Sequence, residues 1–321
     1  MSLTMARESY LAQMRLLMRL LPVVSTESAF ALKGGTAINL FYRDMPRLSV
    51  DIDLAYLPIE DRATSLHAID AAFDQIMAQI NKLPGVNAQR IAGGGGGDTR
   101  VLANADGVTV KIETSPVMRG AIVKPRLMRT NPAVEDAFGF VVTNILAFED
   151  LYAGKLHAAL DRQHPRDLFD IKLLYENEGL TDDLFQTFLV YAACSSRPVH
   201  ELLAPNEKDI AQEFAREFEG MTVEPTSLDD LTSTRKRIIG DIHARLTGDA
   251  AKFLLSLQAG EPDFTLIGLP QAANLPAIKW KILNLKKLIV ENPDKQYAQS
   301  KSLTALLIGA NPDAPKSSAI T

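Results

Sequence analysis

"FALKGGTAINLFYRDMPRLSVDIDLAYL", residues 30–57, decides how the chain is to be read. A short apolar strand over residues 30–32 meets Gly34 and Gly35, which turn the chain. Residues 36–42 read as helical and 50–57 as a strand. That strand carries Asp51 and Asp53, one residue apart, inside an apolar run. Side chains alternate faces along a strand, so Ser49, Asp51 and Asp53 share one face and Val50, Ile52 and Leu54 the other. Two carboxylates this close repel each other unless a cation lies between them. A hard ion bound by oxygen, Mg2+ or Mn2+, meets that need. The plainer alternative is a pair of exposed acidic residues, and the D-x-D spacing alone does not separate the two.

Working outward, "VTVKIETS" (residues 108–115) supplies a third carboxylate. Glu113 and Lys111 share one face of that strand, Val110 and Ile112 the other. Next to the strand of Asp51 and Asp53, Glu113 would complete a three-carboxylate set able to hold two divalent ions for in-line displacement at phosphorus. The alternative is a solvent-facing Glu113 paired with Lys111. Gly34 and Gly35, between strand and helix, let backbone amides approach a phosphate closely. Thr36 either caps the helix or donates to a phosphate oxygen. A plain tight turn is the competing reading.

The remaining sequence frames this region. Residues 5–21 form an amphipathic helix ended by Pro22, with Arg7, Glu8, Arg15 and Arg19 spread among its apolar positions, unlike a secretory signal. A long amphipathic helix spans 61–83, and strands are expected at 86–92, 99–103 and 108–114, the last two joined by an Asp106-Gly107 hairpin turn. "GGGGG", residues 93–97, lacks the Lys-Ser/Thr and the helix start of a phosphate loop and reads as a link between strands. After about residue 145 the pattern is almost wholly helical: 147–162, 165–177, 182–194, 207–218, 227–246, 249–258, 276–291 and 297–308. The expected fold is α+β: a small mixed-sheet core with an N-terminal helix over 1–145, then a mainly helical domain over 146–321, its last twelve residues frayed.

Composition narrows the function. The net charge is −5, with 15 Lys/Arg against 14 Asp/Glu in residues 1–145 and 19 against 25 beyond. A protein that grips nucleic acid over a broad surface carries a basic excess, so any such contact here is local. "KWKILNLKK" (279–287) offers lysines beside Trp280, which suit RNA but equally suit a solvated helix face. No apolar run is long enough to span a membrane. Cys194 is the only cysteine, which excludes an internal disulfide and fits a cytoplasmic protein.

Taken together, the G-G-T turn, the D-x-D pair and the later strand carboxylate resemble the nucleotidyltransferase superfold shared with DNA polymerase beta. "LKGGTAINLFYRDMPRLSVDIDLAYL" is similar to the first motif of the AbiEii/AbiGii nucleotidyltransferase toxins, with its Arg47-x-Ser49-x-Asp51-x-Asp53 ending. "VKIE" resembles their second motif, and "FEDLYAGKLHAALDRQHPRDLFDI" (148–171) the last two. The resemblance implies that Asp51, Asp53 and Glu113 bind metal, that Gly34, Gly35, Thr36 and Ser49 lie at the triphosphate, and that Lys111 lies close to Glu113. Lys155 would neutralise phosphate charge, Asp167 would complete the site, and Arg166 would lie at the nucleotide. It further implies an NTP substrate, an RNA acceptor such as a tRNA end, and a cognate antitoxin. From the residues alone, Lys155 can instead snorkel to water, and Asp167 can simply favour a helix dipole. Rival functions are transfer to a small-molecule or protein hydroxyl, and a non-catalytic nucleotide-binding module.

Overall fold

The structure, a computed structural model, describes residues 3–93 and 97–310. The link expected within Gly93–Gly97 and the frayed tail therefore lie largely outside the described residues. The chain forms two compact units. The first runs to Leu151 and takes in Glu217–Thr226, and the second holds Tyr152–Arg216 and resumes at Ser227. The fold class is α+β, with a seven-stranded mixed sheet in the N-terminal region and helices in the C-terminal region.

In the first unit the chain runs α1 (Leu3–Val24), β1 (Phe30–Lys33), α2 (Gly34–Ala37) continued by one wide turn over Ile38–Tyr42, β2 (Ile52–Tyr56) and α3 (Arg62–Ile80). There follow β3 (Asn87–Gly93), β4 (Gly97–Ala105), β5 (Val108–Thr114), β6 (Arg126–Arg129), α4 (Pro132–Phe138), β7 (Val142–Ile145) and the start of α5 (Phe148–Asp161). The sheet order is β3-β4-β5-β2-β1-β7-β6. β2 is parallel to β5 and β1 to β7, and the other pairs are antiparallel.

One sheet face is apolar because the strands alternate. Leu32, Ile52, Leu54, Val110, Ile112, Val101 and Ala103 are buried on it. α1 and α3 pack against β3, β4 and β5. Ile69, Phe73, Ile76 and Ile80 of α3 are buried as their helical spacing requires. Phe73 meets Phe30 edge to face at 5.6 Å, and Phe30 meets Tyr56 at 5.7 Å. The opposite face carries Lys33, Asp53, Glu113 and Arg100.

Several elements differ from the sequence reading. Pro22 lies inside α1 rather than ending it; it falls in the last turn, where its ring has little helix left to disrupt, and Ser25 N still donates to Leu21 O at 2.9 Å. The strand expected over 50–57 is only Ile52–Tyr56, so Asp51 precedes it in an extended segment. β6, α4 and β7 have no counterpart in the sequence reading; each is short, and four-residue strands leave too little alternation to detect. The Asp106-Gly107 turn is present, both residues having positive φ (49° and 77°), as a primed hairpin turn demands.

In the second unit α5 continues into α6 (Pro165–Asn177), α7 (Asp182–Ala193), α8 (Val199–Leu203), α9 (Ala211–Glu217), α10 (Leu228–Arg245), α11 (Gly248–Gln258), α12 (Pro276–Glu291) and α13 (Pro293–Ala310). Gly179 ends α6 with φ 73°, its amide donating to Leu174 O at 2.7 Å. α6 packs on α10. No helix among the described residues is long and apolar enough to cross a membrane.

Phe73 joins α3 to the sheet, so Phe73→Ala should lower unfolding free energy by about 3–5 kcal/mol, read from the shift in denaturant midpoint at unchanged m-value.

Candidate active site

The site-bearing face of the sheet holds a row of four ionic side chains. The strand register sets Lys33 of β1 opposite Asp53 of β2, Asp53 beside Glu113 of β5, and Glu113 opposite Arg100 of β4. Directly paired residues on one face stand about 5 Å apart. The row therefore reads cation, carboxylate, carboxylate, cation. Arg100 Nε donates to Glu113 Oε2 at 2.8 Å and Lys111 Nζ to Glu113 Oε1 at 3.0 Å. Lys111 Nζ is also 3.9 Å from Asp51 Oδ2.

The glycine turn closes onto this row. Gly34 has φ 77°, and a Cβ there would stand 2.5 Å from Asp53 Oδ2. A Cβ on Gly35 would stand 2.5 Å from Arg47 Nη2 and 2.7 Å from Ser49 Oγ. Only glycine lets the backbone pass this close. Thr36, buried, donates to Asp51 O at 2.6 Å and lies 3.2 Å from Ser49 Oγ. Its hydroxyl thus fixes the segment that leads Asp51 into β2. Asn39 donates to Gly35 O at 2.7 Å and accepts from Arg47 N at 3.3 Å. Residues 46–48 are held from outside: Leu48 N donates to Met221 O at 3.0 Å and Val223 N to Pro46 O at 2.9 Å.

These placements shift the acids in opposite directions. Burial pushes the Asp53 carboxyl above the ordinary carboxylate value, and the charges of Glu113 and Asp51 add to this against the pull of Lys33 and Lys111. For Glu113, partial burial works upward but Lys111 and Arg100 outweigh it and hold the carboxyl below its usual value. A cation near Asp53 would relieve its strain, so Asp51 and Asp53 suit a hard divalent ion. Glu113 is already engaged by two protein cations. Among the described residues no group of three His, Cys, Asp or Glu side chains is placed to hold a metal ion.

In the second unit, Lys155 of α5 does not snorkel. Its Nζ lies 2.8 Å from Asp167 Oδ1 and 2.9 Å from Asp170 Oδ2 of α6, and all three residues are buried. Arg162 adds Nε to Asp167 Oδ2 at 2.5 Å and Nη2 to Asp167 Oδ1 at 2.9 Å. Burial alone would raise the Asp167 carboxyl, but Lys155 and Arg162 hold it well below the usual carboxylate range. Arg166 lies in the first turn of α6, where its amide meets the capping His164 Nδ1 at 3.1 Å.

Of the residues singled out from sequence, the first unit therefore brings Gly34, Gly35, Thr36, Ser49, Asp51, Asp53, Lys111 and Glu113 together. Lys155 and Asp167 form a buried ion cluster in the second. Sequence reasoning missed Lys33, Arg100, Arg162 and Asp170. Lys33 adjoins the glycine pair and Asp170 falls one turn after Asp167, so spacing signals both. Arg100 has no local signal, since only strand register places it.

Comparisons with known proteins bear on the family and the fold. The sequence profile described as nucleotidyl transferase AbiEii toxin of a type IV toxin–antitoxin system matches residues 15–282, and the chain belongs to that family. A comparison with curated proteins gave no match. Among solved structures, the chain is similar to MenT4, a nucleotidyltransferase toxin from Mycobacterium tuberculosis H37Rv. The TM-score is 0.58 at 13% identity, covering 89% of this chain and 99% of that one, a likeness of fold.

Two outcomes follow from the site's packing. Gly34→Ala combines a left-handed backbone with a Cβ against Asp53, and should cost about 1 kcal/mol or more, measured by thermal and denaturant unfolding. Asp167→Asn leaves the buried Lys155 ammonium with Asp170 as its carboxylate partner and should cost about 1–3 kcal/mol at neutral pH. Because the folded carboxyl is held low, its contribution is whole above about pH 4 and drains away as pH falls toward the folded value. The stability gap between wild type and Asp167→Asn should therefore narrow in acid, which denaturant melts at pH 7 and pH 3 will show.

Proposed function

We propose that the chain transfers a nucleoside monophosphate from an NTP to an acceptor hydroxyl, with RNA, such as a tRNA end, as the acceptor. The new P–O bond forms between the acceptor oxygen and the α-phosphorus, the bond to the β-phosphate bridge breaks, and pyrophosphate leaves. The observation that supports this best is the contact of Gly34 with Asp53 Oδ2, where a Cβ would stand at 2.5 Å. It sets the glycine turn directly against a carboxylate that a cation would stabilise.

In this reading Asp51 and Asp53 hold Mg2+ or Mn2+, and Glu113 joins only by giving up Arg100 or Lys111. A bound ion supplies charge neutralisation at the reacting phosphate and at the leaving group. Gly34 and Gly35 present backbone at the triphosphate, while Thr36 and Ser49 keep the approach to Asp51 fixed. Lys111 balances charge between Asp51 and Glu113. In the second unit Lys155 is already matched by Asp167 and Asp170, so this reading assigns that cluster to holding α5 against α6. The family is one of toxins, so a cognate antitoxin is the expected partner, in the cytoplasm.

The test is incubation with each α-labelled NTP and total RNA, purified tRNA or protein. Label entering RNA, with pyrophosphate released, is the expected result; label entering only protein or a small molecule would replace RNA as acceptor, and no transfer to any would reject the reading. Asp51→Asn and Asp53→Asn should each abolish transfer while the apo-protein's melting temperature holds or rises, because a like charge has been removed. Chelation should stop the wild type, and Mg2+ or Mn2+ should restore it.

A further inference from the structure

Lys33 stands at one end of the ionic row, and its position differs in kind from that of every other cation there. Arg100 and Lys111 are both committed to Glu113, at 2.8 and 3.0 Å. Lys33 pairs in register with Asp53 and its charge acts on that carboxylate. Yet its ammonium makes no hydrogen bond or ion pair among the described residues. A lysine serving only as Asp53's countercharge would close onto it, as Lys111 closes onto Glu113. Lys33 is neither buried nor fully exposed, and it leads directly into Gly34, whose backbone lies close against Asp53 because it carries no Cβ. Three ammonium donors at the lip of a glycine turn, on the site-bearing face, suit a compact polyanion.

We propose that Lys33 binds the triphosphate of the incoming nucleotide, a contact that deepens the NTP reading above and rests on it. Its three donors reach the phosphate oxygens from β1 while the Gly34-Gly35 backbone meets them from the turn. Asp53, with which Lys33 shares the row, attracts the ammonium toward the glycine turn until the substrate arrives. Ligand recognition at this point is by phosphate charge and number, not by the base.

Isothermal titration of wild type, Lys33→Met and Lys33→Arg with inorganic tripolyphosphate, with NTPs and with the matching monophosphates tests the proposal. Loss of a charge-assisted contact should weaken tripolyphosphate and NTP binding about ten- to a hundredfold in Lys33→Met. Monophosphate binding should change far less, and Lys33→Arg should retain most of the affinity. A folded Lys33→Met protein that binds tripolyphosphate and NTP like wild type overturns the proposal, whatever its melting temperature. Equal weakening of the monophosphates also overturns it, since that places Lys33 elsewhere on the nucleotide. If Lys33→Met fails to fold, Lys33→Gln carries the same titrations. Wild type that binds no NTP and no tripolyphosphate rejects the NTP reading itself and this inference with it; wild type that binds and transfers while the variants match it rejects only the role of Lys33.

Discussion

Two carboxylates side by side on a parallel ladder are the constraint on which the first unit depends. Asp53 and Glu113 are register partners, and like charges so placed destabilise a sheet. The protein offsets this from both sides. Lys33 and Arg100 occupy the next positions outward on β1 and β4, and Lys111 reaches Glu113 from one pair along the same strand. The two acids are not treated alike. Glu113 is matched by two cations within hydrogen-bonding distance, whereas Asp53 keeps burial and two like charges against it. The imbalance leaves one carboxylate of the row in need of positive charge, and Asp51 lies two residues away from it.

That arrangement requires precision from parts of the chain distant in sequence. Asp51 is outside the β2 ladder, so strand pairing does not hold it. Thr36 does so by accepting no compromise in distance, its hydroxyl donating to Asp51 O at 2.6 Å. Upstream, Arg47 is buried beside Gly35, and residues 46–48 run antiparallel to 221–223 through Leu48–Met221 and Val223–Pro46 bonds. The return of Glu217–Thr226 to the first unit thus has a local purpose: it clamps the segment that delivers the aspartates. The glycines complete the set, since any side chain at either position would strike Asp53 or Arg47.

Much of this was legible in the sequence, and for physical reasons. The long helix α3 announces itself by its apolar stripe, the hairpin by Asp106-Gly107, and the helical C-terminal region by sustained periodicity. The G-G-T and D-x-D residues point to their chemistry because glycine and paired carboxylates each carry a cost that needs explaining. What was not legible depends on register. Nothing local in "DTRVLANA" tells that Arg100 faces Glu113. Four-residue strands such as β6 and β7 carry too little pattern. The apolar Val50 makes the sequence read as strand from residue 50, whereas the segment from Ser49 to Asp51 is tied to Thr36 and not to a neighbouring strand. For Lys155 the sequence offers phosphate binding or snorkelling, since a lysine's sequence neighbours do not reveal the carboxylates one helix away.

The protein uses charge in two contrasting ways. In the second unit the buried Lys155, Asp167 and Asp170 neutralise one another through short contacts, and the exposed Arg162 pairs with Asp167 from outside. Two carboxylates on one ammonium lock α5 to α6 and keep the Lys155 ammonium in one place. In the first unit the charges are left partly unsatisfied, with Asp53 strained upward and Lys33 facing it without a bond. Open charge of this kind costs stability, and in the proposed reading ions of the right sign and spacing would offset that cost. A saturated cluster gives rigidity without appetite for ligand; an unsaturated row on a sheet held by Thr36 and the 221–223 clamp gives the reverse. The fold keeps the first kind where helices must be fixed and the second where a triphosphate and its metal would be received.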